Sequence, residues 1–545
     1  MLKDEILDVA IVGGGVSGVY SAWRLMTSQT QKSERLEQLL SKRGEDRLKI
    51  AVFEGSHRIG GRLLSVTPPG MPNTRCELGG MRYMSSQKLV RSLVENKLKL
   101  ETRPLYVSEP ENIAYLRGQH LRLSQLTDPK LVPYALKSAE QGIDPSNFIG
   151  FALEQLMPGI SKLHGEELRH FVRTHKFEGK HLYNWGFWNL LARSLSHEAY
   201  TLAYQAGGYD TTALNWNAAD TILLNCDFTP DVTYKAIVKG YEQIPLEICQ
   251  QFVQSGGEVY LEHRLKSFAA AELPDGSSGV KMSLIWQNQP GETIEIFARA
   301  LILAMPRRSL ELLDPTGEVL DPRNRKVQTL IRTVTPVPMF KMFVSYHTPW
   351  WEKVEVTKGR SVTDLPVRQC YYWGTEGEQL KADRQNQNSV LLASYDDTLN
   401  VTFWEGLRDK KEEPPFETKA GYYGSDYSGS PDWHHYKAPA AMVREIQRQL
   451  KEMHGLSEIP EPYSAVYMDW GDDPYGGAVN FWNIHAKSWE VIPQIVHPQE
   501  NVPVYICGEA YSDGQGWVEG ALSTAEILLQ DHFGLQPPDW VTEEG

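Results

Sequence analysis

The chain has 545 residues, of which 41% are hydrophobic and 23% charged, and its formal net charge is -14. This composition is ordinary for a globular protein with several domain-sized units. The negative charge argues against a nucleic-acid-binding surface, which needs a basic patch, and it disfavours binding to an anionic membrane.

The cysteine content and the N-terminus indicate the compartment. The five cysteines are scattered, odd in number and contain no CxxC pair, which suits a reducing compartment and neither a disulfide framework nor a zinc site. The N-terminal stretch MLKDEILDVAIVGGG is acidic and its apolar run is short, so it predicts a first strand and not a signal peptide. No apolar run approaches the roughly 18 residues that a spanning helix needs. We therefore expect a cytoplasmic protein without a membrane segment.

A strand, a glycine turn and a helix follow one another at the start of the chain. LDVAIV predicts the strand, GGGVSG the turn and SAWRLM the helix, and Gly13, Gly15 and Gly18 form a GxGxxG pattern in the required context. Glycine backbone lets a pyrophosphate approach the N-terminus of the helix. This segment predicts a dinucleotide-binding site.

The second strand, LKIAVFE, is predicted to end at Glu54, whose carboxylate can accept hydrogen bonds from ribose hydroxyls. The acidic residue normally follows the glycines by about 20 residues. Here the interval from Gly18 is 54 − 18 = 36 residues, because the polar stretch TSQTQKSERLEQLLSKRGEDR is inserted as a predicted helix and loop.

The middle of the chain is predicted to change from helices to strands. Residues 105–235 contain helix-like apolar spacing in PKLVPYALKSAEQ, NFIGFALEQLM, GEELRHFVRTH and WNLLARSLSHEAYTLAYQ. Strands are predicted in GGEVYLEHRLKSF, MSLIWQ, IEIFARALILAMP and PMFKMFVSY, and residues 404–440 are predicted to be a loop. His434 and His435 in that loop lack the further ligands of a metal site. The chain returns to strand, turn and helix in VPVYICGEA, DGQG and WVEGALSTAEILLQ.

Several motifs together resemble the flavin-containing amine oxidase family, which includes monoamine, polyamine and L-amino acid oxidases. Residues 54–62 read E-x-x-x-R-x-G-G-R, and further matches are KGYEQIP (239–245), GGEVYLEHRL (256–265), LILAMPRRSL (301–310) and YICGEAYSDGQGWVEGAL (505–522). The resemblance implies FAD held in an extended form and no metal. It assigns cofactor contacts to a set spread along the chain: Gly13, Gly15, Gly18, Glu54, Arg62, Gly80, Met81, Val259, Gly508, Glu509, Trp517 and Val518.

Within this set the resemblance gives individual roles. Arg62 would contact the phosphate or flavin side, Val259 would bind adenine through its backbone, and Glu509 would meet the ribityl–pyrophosphate region. The helix that begins near Trp517 would direct its positive end at the flavin and stabilise the anionic reduced ring. Gly79 and Gly80 would let the backbone pass close to the flavin, with Met81 beside the ring.

Four stretches are most similar to the L-amino acid oxidase branch. In GGMRYM (79–84), Arg82 matches the arginine that binds the substrate carboxylate, and a buried Arg–carboxylate pair is bidentate and directional. In TDLPVRQCYY either Tyr371 or Tyr372 would bind the same carboxylate, and we choose Tyr371. GWVEGAL places Trp517 as a wall beside the flavin. Lys341 in PMFKMFVSY matches the lysine that binds a water near flavin N5.

The expected side-chain preference of the substrate depends on one stretch of the sequence. GGYDTTALNWNAAD (207–220) resembles the helix region that lines the branch's side-chain pocket, and Asp220 lies at its end. An aspartate there would favour lysine, arginine or ornithine, whereas an Asp220 on the helix surface would imply no such preference. Both readings stay open.

The predicted fold class is α/β, with a Rossmann-type FAD-binding domain assembled from separated segments, a mixed-sheet substrate domain and an inserted helical domain. We assign residues 1–84, 236–330 and 488–545 to the FAD-binding domain. Residues 85–130 and 331–487 form the predicted substrate-binding domain, and residues 131–235 the helical domain.

The predicted reaction is oxidation of an L-amino acid by dioxygen to a 2-oxo acid, ammonium and hydrogen peroxide. A 2-monooxygenase that yields an amide and carbon dioxide, an amine or polyamine oxidase, and a flavin-binding protein without turnover are the alternatives. The expected partners are the amino acid and dioxygen, with no nucleic acid and no membrane, and a homodimer is left open.

Overall fold

The computed structural model describes residues 5–28, 33–43, 47–226, 232–288, 292–408, 416, 427–472 and 474–542. Its centre is a parallel five-stranded sheet whose strands come from three distant parts of the chain. In spatial order the strands are Glu258–Tyr260, Ile50–Phe53, Val9–Val12, Leu301–Leu303 and Val504–Ile506. Four of the five are continuous apolar runs, as expected for parallel strands that are buried on both faces.

Three helices cover one face of this sheet. They are Val16–Thr27, Gln243–Gln254 and Val518–Phe533, and they pack on one another and on the strands in a single core cluster. The predicted strand–turn–helix at the start of the chain is therefore present, and so is the one at its end. The polar insertion contains the helix Glu34–Arg43.

A four-stranded sheet covers the other face. Its order is Ile6–Leu7, Thr293–Ala298, Ser278–Trp286 and His263–Glu272. Two stretches that the sequence predicts as single strands are divided between the sheets: GGEVYLEHRLKSF after Tyr260, and IEIFARALILAMP after Ala298. Only Arg299 and Ala300 separate the two halves of the second stretch.

A seven-stranded mixed sheet forms the second large layer. Its order is Ser464–Asp469, Met339–Tyr346, Ser389–Asp397, Gln369–Thr375, Arg360–Thr363, Ile113–Leu116 and Gln119–Arg122. All neighbours are antiparallel except Arg360–Thr363 with Ile113–Leu116. The helix Ala440–Met453 packs on one face in its own core cluster.

Short strand pairings connect the layers. Tyr83–Met84 and Thr102–Pro104 flank Tyr234–Ile237 in a three-stranded sheet. The two-stranded pairs are Ser65–Val66 with Cys76–Glu77, Val334–Val337 with Val479–Trp482, and Lys176–Phe177 with Lys180–His181. The segment ELGGMRYM therefore lies between two of these pairings.

The helical region is shorter than its sequence pattern predicts. Its helices are Phe148–Leu156, Gly165–Thr174, Phe187–Leu191, His197–Gly207 and Ala218–Cys226. The predicted helix in PKLVPYALKSAEQ is wrong, because residues 129–141 form turns and bends. Pro129 and Pro133 each lack the N–H that a helix interior requires, and the apolar spacing cannot compensate.

The remaining described helices are Lys88–Ser92, which continues as the π-helical turn Leu93–Lys97, and Arg307–Glu311, Arg325–Ile331, Leu399–Glu405, Pro431–His435 and Ser488–Val496. Two of them, Leu399–Glu405 and Pro431–His435, extend into the predicted loop 404–440. Residues 409–415 and 417–426 of that loop lie outside the described residues. No described helix is both long and apolar enough to cross a membrane.

Candidate active site

The glycine turn after the first long strand brings backbone of three segments into contact. Gly13 has a φ of +112°, and a Cβ at that position would lie 2.4 Å from the carbonyl oxygen of Ala304. A Cβ at Gly18 would lie 1.9 Å from the carbonyl oxygen of Gly13. Both positions therefore need glycine, because the helix Val16–Thr27 starts directly against the turn that precedes it.

Glu54 and Val259 lie on the neighbouring strands. The Glu54 carboxylate accepts hydrogen bonds from the backbone N–H of Gly14 over 2.6 Å and of Ser56 over 2.8 Å. Val259 is at the edge of the five-stranded sheet, in register with Val52. Strand order thus places Glu54 beside the glycine turn, although 36 residues separate Glu54 from Gly18 in sequence.

This end of the sheet has the properties of a diphosphate site. Gly15 is the N-cap residue of the helix Val16–Thr27 and has no side chain to cap the first N–H groups. A Cβ at Gly15 would lie 3.9 Å from its nearest neighbour, the Cα of Gly61, which is an ordinary van der Waals contact. Backbone donors and a positive helix end fit the pyrophosphate of FAD.

Arg62 and Glu509 form an ion pair. One Arg62 Nη1 donates to Glu509 Oε2 over 2.8 Å and to the carbonyl oxygen of Ala478 over 2.7 Å. Glu509 also accepts from the backbone N–H and the side-chain Nδ2 of Asn480 and from the N–H of Gly516. Both residues were expected to contact the cofactor, and the structure pairs them with each other. Four donors already occupy Glu509.

The last cofactor segment lies beside this pair. Gly508 has a φ of +141°, and its nearest neighbour on the Cβ side, Ser17 Oγ, would be 3.7 Å away. Trp517 is the N-cap residue of the helix Val518–Phe533. Two helices, Val16–Thr27 and Val518–Phe533, therefore begin at the same end of the five-stranded sheet, as the extended cofactor would require.

The segment Glu77–Met84 passes directly over the Arg62–Leu63 backbone. A Cβ at Gly79 would lie 2.0 Å from the carbonyl oxygen of Arg62, and one at Gly80 would lie 2.6 Å from Leu63 Cδ2. Gly80 N–H also donates to the Arg62 carbonyl. The glycine pair is thus explained by close packing within the chain. Met81 is buried in a core cluster.

Arg82 is a buried cation surrounded by tyrosines. It is 7% exposed, its Nη1 donates to the Tyr371 hydroxyl over 3.2 Å, and its Nη2 lies 3.5 Å from the Tyr209 hydroxyl. The guanidinium carbon is 4.4 Å from the centre of the Tyr234 ring. Among the described residues no carboxylate forms an ion pair with Arg82. Its described hydrogen-bond partners are neutral hydroxyl groups.

Tyr371, and not Tyr372, belongs to this cluster. The two residues alternate on the strand Gln369–Thr375, so the Tyr372 hydroxyl instead contacts Ser361 and His454. Burial alone would raise the pKa of Tyr371, but the positive charges of Arg82 and Arg360 hold that pKa below its ordinary value. A negative charge is thus favoured beside Arg82.

Lys341 approaches the same segment from the seven-stranded sheet. It is buried, and its Nζ donates to the carbonyl oxygens of Gly79 over 2.6 Å and of Glu77 over 3.1 Å. The Nζ also lies 4.4 Å from the centre of the Tyr395 ring. Burial lowers the pKa of Lys341, with a contribution from Arg82, while Glu77 opposes the shift. An amine with a lowered pKa can exchange a proton with a bound water.

Glu77 is a buried carboxylate whose charge acts on this lysine. It accepts from Ser65 Oγ over 2.6 Å and from the backbone N–H of Tyr241 over 2.9 Å. Burial raises the pKa of Glu77, whereas those two hydrogen bonds and the charge of Lys341 oppose the rise. Glu77 therefore supports the electrostatics of Lys341 without an ion pair to its Nζ.

Asp220 lies apart from the Arg82 cluster. Its Oδ1 accepts from Ser488 Oγ over 2.6 Å, and its Oδ2 is buried without a hydrogen-bond partner among the described residues. It lines a small cavity of about 20 Å³, room for roughly one water, with Phe481, Asp513 and Gln515 among the other walls. Burial raises the pKa of Asp220 to about 7. The ring of Phe481 stacks on Trp216, which belongs to the same segment as Tyr209.

The structure thus brings Arg82, Tyr371 and Lys341 together and leaves Asp220 outside their contacts. Sequence reasoning missed Tyr209, Tyr234, Tyr395 and Glu77. Glu77 lies just before the GGMRYM stretch that contains Arg82, so its position in the sequence could have suggested it. Tyr209 was quoted in GGYDTT, but its contact with Arg82 joins residues 127 apart. No local sequence pattern predicts that contact.

Two comparisons concern the whole chain. A family model described as flavin containing amine oxidoreductase matches residues 16–527. The chain also resembles a solved structure of putrescine oxidase bound to putrescine, with a TM-score of 0.62 and 17% identity over 97% of this chain and 99% of the other. That likeness shows a shared fold alone.

Curated relatives match over differing lengths. Aplysianin-A from Aplysia kurodai is 27% identical over 97% of this chain and 91% of its own length. An L-amino-acid oxidase from Mus musculus is 22% identical over 71% of this chain and 53% of its own length.

Proposed function

Because the chain belongs to the flavin containing amine oxidoreductase family, with FAD as its cofactor, we propose that it is an L-amino acid oxidase. The proposed reaction converts an L-α-amino acid, dioxygen and water into a 2-oxo acid, ammonium and hydrogen peroxide. The Cα–H bond breaks and gives up its electron pair, a proton leaves the nitrogen as the Cα–N bond becomes a double bond, and dioxygen receives the two electrons and two protons to form hydrogen peroxide. Water then adds to the resulting imine and the nitrogen leaves as ammonium.

One observation carries the proposal: Arg82 is buried without an acidic partner among the described residues. An uncompensated buried charge costs several kcal/mol, on the order of 3 to 5. A substrate carboxylate removes that cost, and a plain amine does not. Amino acids are therefore favoured over amines and polyamines.

Bound FAD supplies the two-electron oxidation and the reduction of dioxygen. The protein chain binds and orients the substrate. A carboxylate held in two hydrogen bonds by Arg82, with a third from Tyr371, fixes the orientation of the adjoining Cα. Trp517 and Met81 remain the proposed neighbours of the flavin ring.

Lys341 is proposed to hold the water of the second half of the reaction. Two of its N–H groups are directed at the carbonyl oxygens of Gly79 and Glu77, which leaves one position on nitrogen. Because its pKa is lowered, the amine can take a proton from a water at that position and return it to the departing nitrogen.

A preference for basic side chains is a finer part of the proposal. It rests on Asp220 Oδ2, which has no hydrogen-bond partner within the described part of the chain, and on Asp513 in the same cavity wall. A lysine or arginine side chain that reached this wall would supply the missing counter-charge. Since the cavity holds about one water, that water would be displaced or would bridge the two groups.

The test is a panel of L-amino acids, their decarboxylated amines and their D-enantiomers, read by peroxide release with products identified by mass. The proposal expects turnover of L-amino acids only, and Arg82→Met should abolish most of it while Arg122→Met leaves it intact. Turnover of amines that survives Arg82→Met would refute the proposal. An amide and carbon dioxide as products would identify a monooxygenase instead. Equal rates for leucine, phenylalanine and arginine would remove the basic preference alone.

A further inference from the structure

Tyr209 lies against the carboxylate-binding cation from a different part of the fold. Its hydroxyl is 3.5 Å from Arg82 Nη2 and 3.4 Å from the Tyr371 hydroxyl. Tyr371 instead contacts Nη1 of the same guanidinium. The two hydroxyls therefore flank the two ends of one Arg82 fork.

The turn before Tyr209 is anchored to the seven-stranded sheet. Gly208 ends the helix His197–Gly207 with a φ of +81°, and a Cβ there would lie 2.9 Å from Arg360 Nη1. The same Nη1 donates to the Gly207 carbonyl over 3.1 Å and to Gln369 Oε1 over 3.0 Å. Arg360 thus fixes the backbone from which the Tyr209 side chain projects.

The turn after Tyr209 is fixed by a buried ionic network. Asp210 is paired with Arg368 at 2.8 Å, and the two side chains are 1% and 3% exposed. The N–H groups of Asp210 and Thr211 donate to the Asp397 carboxylate over 2.9 Å and 3.1 Å. With both flanks held, Tyr209 is pre-organised, and little entropy remains to be lost when it binds a ligand.

We propose that Tyr209 is a second hydroxyl donor to the substrate carboxylate, which makes the site selective for free α-carboxylates against α-carboxamides. This inference rests on the proposed function. In a bidentate pair each carboxylate oxygen faces one Nη of Arg82. One oxygen then lies next to Tyr371 and the other next to Tyr209.

The selectivity follows from the donor inventory of the site. A guanidinium carries donors and no acceptor. Burial raises the pKa of Tyr209, so its hydroxyl keeps the proton that it donates. A carboxylate offers acceptors to both ends of the fork, whereas a carboxamide turns an NH₂ toward one end and leaves donor against donor. An unpaired buried donor is costly, so the amide is rejected.

The experiment titrates the oxidised holoenzyme with two turnover-silent probes and follows the flavin absorbance. The probes are 4-methylpentanoate, which is leucine without its amino group, and 4-methylpentanamide. Tyr209→Phe is compared with Tyr372→Phe. The hydroxyl of Tyr372 contacts Ser361 and His454 on the other side of the same sheet. Tyr209→Leu, which also removes the hydroxyl and offers no other donor, serves if the Phe variant does not fold.

The wild type should bind the acid and not the amide. Tyr209→Phe or Tyr209→Leu should weaken binding of the acid about tenfold, as expected for the loss of a hydrogen bond to a charged group, and Tyr372→Phe should not change it. An acid affinity that depends on Arg82 but is unchanged in the Tyr209 variants overturns this inference and leaves the proposed function standing. Failure of the acid to bind the wild type overturns both.

Discussion

The side-chain nitrogen of Lys341 lies 2.6 Å from the carbonyl oxygen of Gly79, three residues before Arg82 in the chain. The lysine proposed to hold water and the arginine proposed to hold the carboxylate are thus attached to one backbone segment. That segment is in turn packed on the backbone of Arg62. The proposed sites for substrate, water and cofactor are therefore all in contact with one backbone segment of a few residues.

Replacing Lys341 with Met should separate the two halves of the reaction. Anaerobic reduction of the flavin by an amino acid should change by a few-fold at most, because the carboxylate clamp is intact. Steps that need a proton carried by the bound water should slow by roughly 100-fold. Stopped-flow measurement of each half-reaction checks this, with Lys235→Met, which removes a lysine paired with Glu95, as the control. Slower reduction with normal reoxidation would contradict the assigned role.

Gly18→Ala should remove FAD from the protein. The new methyl group would lie 1.9 Å from the Gly13 carbonyl oxygen, so the helix start must move and destabilise the fold by about 1 to 3 kcal/mol. Bound flavin per chain and thermal unfolding measure the effect. Gly150→Ala is the matched control, because that helical glycine has no neighbour within 4 Å on its Cβ side and alanine favours the helix. Full flavin content in Gly18→Ala would show that this turn is not the diphosphate site.

Glu509→Gln should weaken the fold near the flavin. The substitution places a side-chain NH₂ group next to the four N–H groups that donate to Glu509. It also removes the negative charge that pairs with Arg62, whose side chain is 30% exposed. Because Arg62 is partly solvated, we expect a loss of about 2 kcal/mol, below the range for a fully buried pair. Urea unfolding measures it. Glu166→Gln breaks an exposed pair with Arg169 and should change stability by less than about 0.5 kcal/mol. Equal effects of the two variants would contradict the importance of the Glu509 cluster.

Asp220→Asn should stabilise the protein increasingly as the pH rises. The ordinary pKa of 3.8 applies in the unfolded chain, and burial raises the folded pKa to about 7. Below the ordinary value the carboxyl is neutral in both states and costs nothing. Between the two values the folded state resists ionisation, and above about 7 the full penalty, at most ~4 kcal/mol, is present.

Asparagine does not ionise and carries no such penalty. The difference in the free energy of unfolding between Asp220→Asn and wild type, measured by urea unfolding, should therefore increase from pH 5 to pH 8. Asp321→Asn is the control, because the Arg323 side chain lowers the pKa of Asp321 to about 2, below this window. The free energy of unfolding of Asp321→Asn should differ from that of wild type by the same amount throughout this pH range. A flat difference for Asp220→Asn as well would mean that water reaches the carboxylate freely.

Arg368→Met should destabilise the fold strongly. It leaves Asp210 as a buried charge without its cation, a change that costs about 3 to 5 kcal/mol. Thermal unfolding and susceptibility to proteolysis near residues 207–217 measure the loss. Arg323→Met, which removes an almost fully exposed arginine, should leave the melting temperature unchanged. A stable Arg368→Met protein would show that Asn400 and Thr398 alone satisfy Asp210.

The sequence predicts those parts of the molecule that depend on neighbouring residues. The glycine turn at Gly13 and Gly18 is required by contacts between residues that are close in sequence. The family resemblance indicated Arg82 and Lys341 as site residues. The pairing of Arg62 with Glu509 joins residues 447 apart, so each was assigned to the cofactor without its partner. Periodicity also misled at residues 129–141, where the apolar spacing was correct and the prolines prevented a helix.

The link from Ala298 to Leu301 has a consequence for cutting the chain. Only Arg299 and Ala300 connect strands of two stacked sheets, and Arg299 is held by Asp8 and Asp275. A nick or a new terminus at this link would remove one of the short connections between the outer sheet and the inner one and would disturb the buried ion pairs of Arg299. The turn at Asp275–Ser277, which joins strands of a single sheet at the surface, is the better place to split the protein into complementing fragments.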